Sequence, residues 1–125
     1  MVNHARMATS FALVVLEELP RDLGRVLPLR EGAQVLGRTE GADIRLVWDT
    51  VSRRHARITV EEGRVRIEDV ASTSGTFVND ELVRASQELT PGARIRIGRV
   101  VLELVRAEEA DARSLVAFGR GQEDG

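Results

Sequence analysis

The stretch TVSRRHARI, residues 50–58, sets Arg53, Arg54 and Arg57 around His55 in a chain whose formal net charge is −2. Guanidinium groups crowded in this way repel one another unless an anion lies among them. Two further polar clusters, GRTEGAD (37–43) and DVASTSGT (69–76), carry related chemistry. Together with DTVSRRH (49–55) they offer Arg38, Arg53, several hydroxyls and turn amides freed by glycine. Those are the parts of a phosphate site. Arginine supplies a fixed, permanently charged fork of donors, hydroxyls donate from the sides, and backbone N–H groups complete the shell. Such a site holds its anion without any acid–base residue.

Other functions meet obstacles in the same sequence. Ser52, His55 and Asp69 have the residue types of a hydrolase triad, yet no G-x-S-x-G elbow accompanies them. With no cysteine and 2 histidines, thiolate sites and cysteine nucleophiles are excluded, and a zinc hydrolase is left short of ligands. All 18 basic residues are arginine, which removes the phosphate-loop lysine and every Schiff-base mechanism. We therefore expect no enzyme, no cofactor and no metal. Aromatic residues make up 3% of the chain and tyrosine is absent, so a single-strand nucleic-acid binder would lack its stacking platforms. A slightly acidic chain also lacks the broad positive field of a nonspecific nucleic-acid binder.

No apolar run approaches the roughly 18 residues of a membrane helix. MATSFALVVL, residues 7–16, mimics the apolar region of a signal peptide. It runs into Glu17 and Glu18 without a small-x-small cleavage site, so it reads as a first core strand. The cysteine-free composition fits a reducing cytoplasm.

The loops need a scaffold, and the segments between them are short, rich in Val, Ile and Leu, and bounded by Gly, Pro, Asp or Ser. FALVVLE (11–17), RVLPL (25–29), QVLG (34–37) and DIRLV (43–47) come first. ARITVE (56–61) and RVRIED (64–69) flank the hairpin signal EG, and GTFVN (75–79), RIRIG (94–98) and VVLELV (100–105) follow. Alternation with period 2 recurs, whereas a helical period is confined to EEADARSLVAF at 108–118. The fold class is all-β, a sandwich in which loops distant in sequence collect at one end. Residues 1–9 read as a flexible leader, 10–106 as the domain, and 107–125 as a tail or linker ending in the polar GRGQEDG. Trp48 is open between core packing and an exposed apolar contact, and Arg54 between free solvation and a peptide contact. Arg57, one step inside its strand, reads as a surface residue.

Taken in order, GR (37–38), SRRH (52–55), DVASTSGTFVN (69–79) and LTPGARIRIG (89–98) resemble the signature of the forkhead-associated (FHA) domain, over about residues 11–106. The resemblance implies an eleven-stranded β-sandwich that binds phosphothreonine peptides through loops at one end, within Ser/Thr kinase signalling. It implies that Arg38 binds the phosphate, that Ser52 donates its hydroxyl to it, and that Arg53 contacts phosphate or peptide backbone. Thr73 would assist near the phosphate and Ser74 would face the peptide main chain. Gly37, His55, Gly75 and Asn79 would shape and tie down the loops. The family usually has asparagine at Ser74 and often glycine at Asp80. The implied partners are a phosphothreonine protein and an upstream kinase, with no nucleic acid and no membrane. The alternative is an FHA scaffold that docks a protein without phosphate.

Overall fold

Alternating sequences make sheets with one dry and one wet face, and β5 (Ala56–Glu61) and β6 (Arg64–Asp69) do so here. Ala56, Ile58, Val60, Val65 and Ile67 are buried, while Arg57, Arg64 and Arg66 are exposed. The two strands pair antiparallel from Ala56↔Asp69 to Glu61↔Arg64. Glu62 and Gly63 close the hairpin with φ of 53° and 77°. Positive φ at both turn residues is the type I′ geometry, whose twist matches that of the strands.

β1 (Phe11–Glu17) follows a different rule. Its run FALVVLE buries Phe11, Leu13 and Val15 in the main core, and Ala12 and Val14 beside Val105 in a second cluster. A strand covered on both faces shows no alternation. The segment that mimics a signal peptide is thus folded into a sheet.

The structure, a computed structural model, describes residues 10–17 and 25–109. The remaining strands are β2 (Val26–Pro28), β3 (Gly32–Gly37), β4 (Ile44–Arg45), β7 (Thr76–Val78), β8 (Glu81–Leu82), β9 (Ser86–Leu89), β10 (Arg94–Ile97) and β11 (Val100–Arg106). They form two sheets, ordered β2-β1-β11-β10-β7-β8 and β4-β3-β5-β6-β9. Leu36, Ile58 and Ile67 of one sheet meet Leu13, Ile95, Leu102 and Leu104 of the other in a single core. At about 25 cal/mol per Å² of apolar surface removed from water, that layer is the dominant stabilising term.

The all-β expectation holds, with differences in detail. Of DIRLV only Ile44–Arg45 pairs, parallel to Leu36–Gly37 of β3. β8 and β9 have no counterpart among the expected strands. They are short and mostly exposed, so no apolar alternation announces them. Trp48 packs into the core at 9% exposure, while its neighbour Val47 is 59% exposed. Residues 107–109 are helical. The rest of the expected helix at 108–118, the leader at 1–9 and most of the tail lie outside the described residues. No helix of the described residues is long and apolar enough to cross a membrane.

Register decides which loops meet. Leu36, near the end of β3, pairs with Ala56, the first residue of β5, and Ala56 pairs with Asp69, the last of β6. In the other sheet the first residue of β7, Thr76, pairs with Ile97, the last of β10. The connections 38–43, 46–55, 70–75 and 98–99 therefore all emerge at one end.

The opposite end of β7 holds a second two-residue hairpin. Asn79 and Asp80 have φ of 49° and 72°, again the type I′ turn. Asp80 keeps the turn that glycine would form without strain. Asp80→Gly is expected to stabilise the fold by about 0.5–1 kcal/mol, since relief of the left-handed conformation outweighs the added chain entropy. A melting temperature unchanged or lowered in that variant would show that the carboxylate itself supports the turn.

Candidate functional site

Gly37 begins the site. A Cβ on it would lie 1.9 Å from the carbonyl oxygen of Arg53, so only glycine lets the 52–54 segment cross this closely. The two chains are then stitched together. Arg38 N–H donates to Ser52 O at 3.0 Å, and Thr39 N–H reaches Arg53 O at 3.4 Å. The Arg38 side chain is fixed from the same loop, its Nε donating to Val51 O at 2.9 Å. With Nε committed to the protein, the two Nη groups have no partner among the described residues. An arginine whose stem is exposed but whose head is pinned has lost part of the entropy that binding would otherwise remove.

Ser52 follows Val51, the residue whose carbonyl holds that guanidinium. Its Oγ accepts the N–H of Thr73 at 3.0 Å, which ties loop 49–55 to loop 70–75. Because the hydroxyl accepts in this bond, its own proton remains available to donate outward. Arg53, Arg54 and Thr73 are exposed, with no side-chain partner among the described residues. Ser74 is exposed too, and its hydroxyl makes a long contact of 3.4 Å with Thr50 O.

His55 is wholly buried between these loops. Its Nδ1 accepts the backbone N–H of Ser52 at 3.0 Å, so the ring proton is on Nε2, which donates to Gly75 O at 2.8 Å. Gly75 has φ of 87°, which turns its carbonyl toward the ring. This bonding dismantles the hydrolase reading of Ser52, His55 and Asp69. The ring bonds the Ser52 backbone and not its Oγ, and Asp69 is bonded elsewhere.

Asp69 braces the 70–75 loop from inside. It accepts Ser72 N–H at 2.9 Å, Ser72 Oγ–H at 2.5 Å and Thr76 Oγ1–H at 2.6 Å. Ser72 Oγ in turn accepts Gly75 N–H at 2.9 Å. Partial burial pushes the carboxyl up, but the Ser72 and Thr76 hydroxyls and the Ser72 N–H outweigh it, holding Asp69 below the ordinary value of 3.8. His55 adds the last and smallest push in the same direction.

The structure thus brings Gly37, Arg38, Ser52, Arg53, His55, Thr73, Ser74 and Gly75 to one end. Asn79 is elsewhere. It sits past the far end of β7, where its N–H donates to Arg94 O at 2.8 Å and its Oδ1 accepts Arg94 N–H at 3.0 Å. Three supporting residues were not singled out in the sequence for the roles they take: Thr50, Ser72 and Gly98. Asp69 and Ser72 carry a readable signal, an aspartate three residues before a serine in a turn. Thr50 and Gly98 are 48 positions apart, and no local pattern joins them. A concavity of about 370 Å³ lies away from these loops, on the outer face of β5, β6 and β9. Its walls include the Arg57–Glu68 ion pair at 2.6 Å, and it contains none of the loop residues named above.

Two outcomes follow for stability. His55→Ala orphans the Ser52 N–H and the Gly75 carbonyl and opens a void, so it should destabilise by about 2–4 kcal/mol in a denaturant titration. A variant as stable as the parent would remove the ring's bridging role. For Asp69, a carboxyl held low in the fold adds stability that is present above its unfolded value near 3.8. That stability is lost as pH falls through the lower folded value. Parent and Asp69→Asn should therefore differ most near neutrality and converge in acid. A gap independent of pH would contradict this.

The comparisons with known proteins agree with this fold. Residues 34–98 match the model of the FHA domain. The oxoglutarate dehydrogenase inhibitor of Corynebacterium efficiens is 42% identical over 88 residues, covering 70% of this chain and 61% of that protein. The glycogen accumulation regulator GarA of Mycolicibacterium smegmatis is 37% identical over 100 residues, covering 80% of this chain and 62% of that protein. The chain thus spans about three fifths of the length of these relatives. A solved structure from work on phosphothreonine-dependent FHA domain interactions superposes with a TM-score of 0.70 at 33% identity, covering 78% of this chain and 96% of that one. Its loops, its sandwich and its match to the family make this chain a member of the FHA-domain family.

Proposed function

We propose that residues 10–106 form a phosphothreonine-dependent protein–protein interaction module acting downstream of a Ser/Thr protein kinase. One observation carries this reading. Arg38 is anchored through Nε to Val51 O, which leaves its Nη groups without a partner among the described residues, and the next residue, Ser52, accepts Thr73 N–H and so keeps its own hydroxyl proton to donate. A phosphate with about −1.5 to −2 charges at neutral pH satisfies both groups at once, and a carboxylate or neutral hydroxyl does so less completely. In this reading Arg53 and Thr73, exposed on the same two loops, assist near the phosphate, and Ser74 faces the peptide main chain. The relative's phosphothreonine dependence supports the choice of ligand. The module binds and does not catalyse, and its partners are a phosphothreonine-bearing protein and the kinase that modifies it. The absence of cysteine fits work in the cytoplasm.

Titration of a phosphothreonine peptide, its phosphoserine counterpart and the unphosphorylated form tests this reading. Arg38→Ala should fold normally and lose about 2 kcal/mol of binding or more, about 30-fold. Phosphoserine should bind about 5- to 30-fold more weakly, through loss of one packed methyl group and of the stiffness of threonine. Equal binding by the parent and a folded Arg38→Ala variant would overturn the site. Equal binding of phosphorylated and unphosphorylated peptides would favour a scaffold that docks without phosphate.

A further inference from the structure

The turn between β10 and β11 is built into the loop end with unusual closeness. Gly98 has φ of 61°, and a Cβ on it would lie 2.4 Å from Thr50 O and 2.6 Å from Thr50 Oγ1. No other residue type allows the turn to press on loop 49–55 in this way. Thr50 then fastens it, its Oγ1 accepting Arg99 N–H at 2.9 Å across 49 positions of sequence. The carbonyl of the same threonine meets Ser74 Oγ at 3.4 Å. Thr50 is therefore the point where the 49–55 loop, the 70–75 loop and the 98–99 turn meet.

The consequence is a fixed starting point for Arg99. Its backbone is held one residue along from Val51, whose carbonyl pins Arg38. Arg38 and Arg99 are thus bonded to successive residues of one loop, with Ser74 of the 70–75 loop against the same Thr50. Arg99 is exposed, and its guanidinium has no carboxylate partner among the described residues. Some exposed arginines elsewhere do find one, as Arg30 does with Asp43 at 3.1 Å and Arg57 with Glu68 at 2.6 Å, while others such as Arg64 and Arg66 do not. A peptide whose phosphate rests at Arg38 and Ser52 advances by about 3.3 Å per residue if extended. A side chain within a few positions of the phosphothreonine then passes over Thr50 and Ser74 and comes within reach of Arg99.

We propose that Arg99 is a specificity-determining residue that selects an acidic side chain flanking the phosphothreonine; this rests on the phosphopeptide reading above. An Asp or Glu at that place pairs with a guanidinium that has no partner in the free protein. A basic residue there would face Arg99 and be rejected.

The experiment uses phosphothreonine peptides with alanine flanks, in which one aspartate, or one arginine, is walked through every flanking position. The parent should prefer aspartate over alanine by about 2- to 5-fold at one or two positions on one side, and the gain should fade at high salt. Arg99→Glu should reverse the preference at those positions, so that arginine binds better than aspartate there. Arg64→Glu, the same charge change at the far hairpin, should leave the preference as in the parent and so separate local pairing from net charge. A preference that follows Arg54→Glu and ignores Arg99→Glu overturns the inference. So does a loss in Arg99→Glu that is equal for all phosphopeptides, since Arg99 would then act as a phosphate ligand. Phosphothreonine binding that depends on Arg38 but is indifferent to every flanking charge overturns the inference and leaves the phosphopeptide reading standing. Absence of any phosphate-dependent binding overturns both.

Discussion

The imidazole of His55 sets the distance between the two loops on which the site depends. One ring nitrogen accepts from Ser52 and the other donates to Gly75, so each loop is bonded to the same rigid plane. Backbone bonds continue the arrangement on either side of the ring. His55 N–H donates to Leu36 O at 2.8 Å, and Val70 N–H donates to His55 O at 2.9 Å. One residue thus couples the end of β3, the start of β5 and the loop after β6. A buried polar group is costly unless every hydrogen-bonding position is met, and here all are met by backbone. A side chain with one donor and one acceptor at this spacing serves both loops, and the neutral imidazole supplies both.

Around this bridge the loops are preorganised by contacts that a larger side chain would forbid. Gly37 and Gly98 act at two different crossings, each where a carbonyl oxygen occupies the space of a Cβ. Asp69 and Ser72 fill the inside of the 70–75 loop with hydrogen bonds, including one to Gly75 N–H, the residue that also receives His55. Binding a flexible loop to an extended peptide would lose much of the gain to ordering, whereas these loops are ordered before any ligand arrives. The small core of a single sandwich can hold them because the attachment points are ends of paired strands.

The sheet and the site are legible in the sequence to different depths. ARITVE, RVRIED and VVLELV announce strands because one face is wet, and FALVVLE does so through continuous burial. EL and SQEL do not, because exposed edge strands are defined by their partner, β7 or β6, and not by their own pattern. Arg38, Ser52, Arg53, Thr73 and Ser74 stand out as a set of donors from spacing and family likeness. Their mutual placement is set by register, and Asn79 illustrates the difference. It belongs to the same run of residues as Thr73 and Ser74, yet β7 carries it to the other end of the sheet, where it holds the backbone of Arg94. Thr50 is invisible from sequence for the converse reason. Its partners, Ser74 and Arg99, become neighbours only once both sheets have formed.

The balance of charge gives the arrangement its sense. A chain of net charge −2 attracts no anion at long range, so affinity must come from a local concentration of arginine. Being unpaired is not the distinguishing mark, since Arg64 and Arg66 on the outer sheet face also have no side-chain partner among the described residues. Arg38 adds to this a guanidinium whose position is fixed, and Arg99 adds a backbone fastened to the same loop. Arg38 is pinned at Nε, and Arg99 is pinned at its backbone, through adjacent residues of the same loop. Under the proposed phosphopeptide reading, selectivity therefore comes from where the donors are fixed, since a weak overall negative charge gives a diffuse polyanion no general attraction.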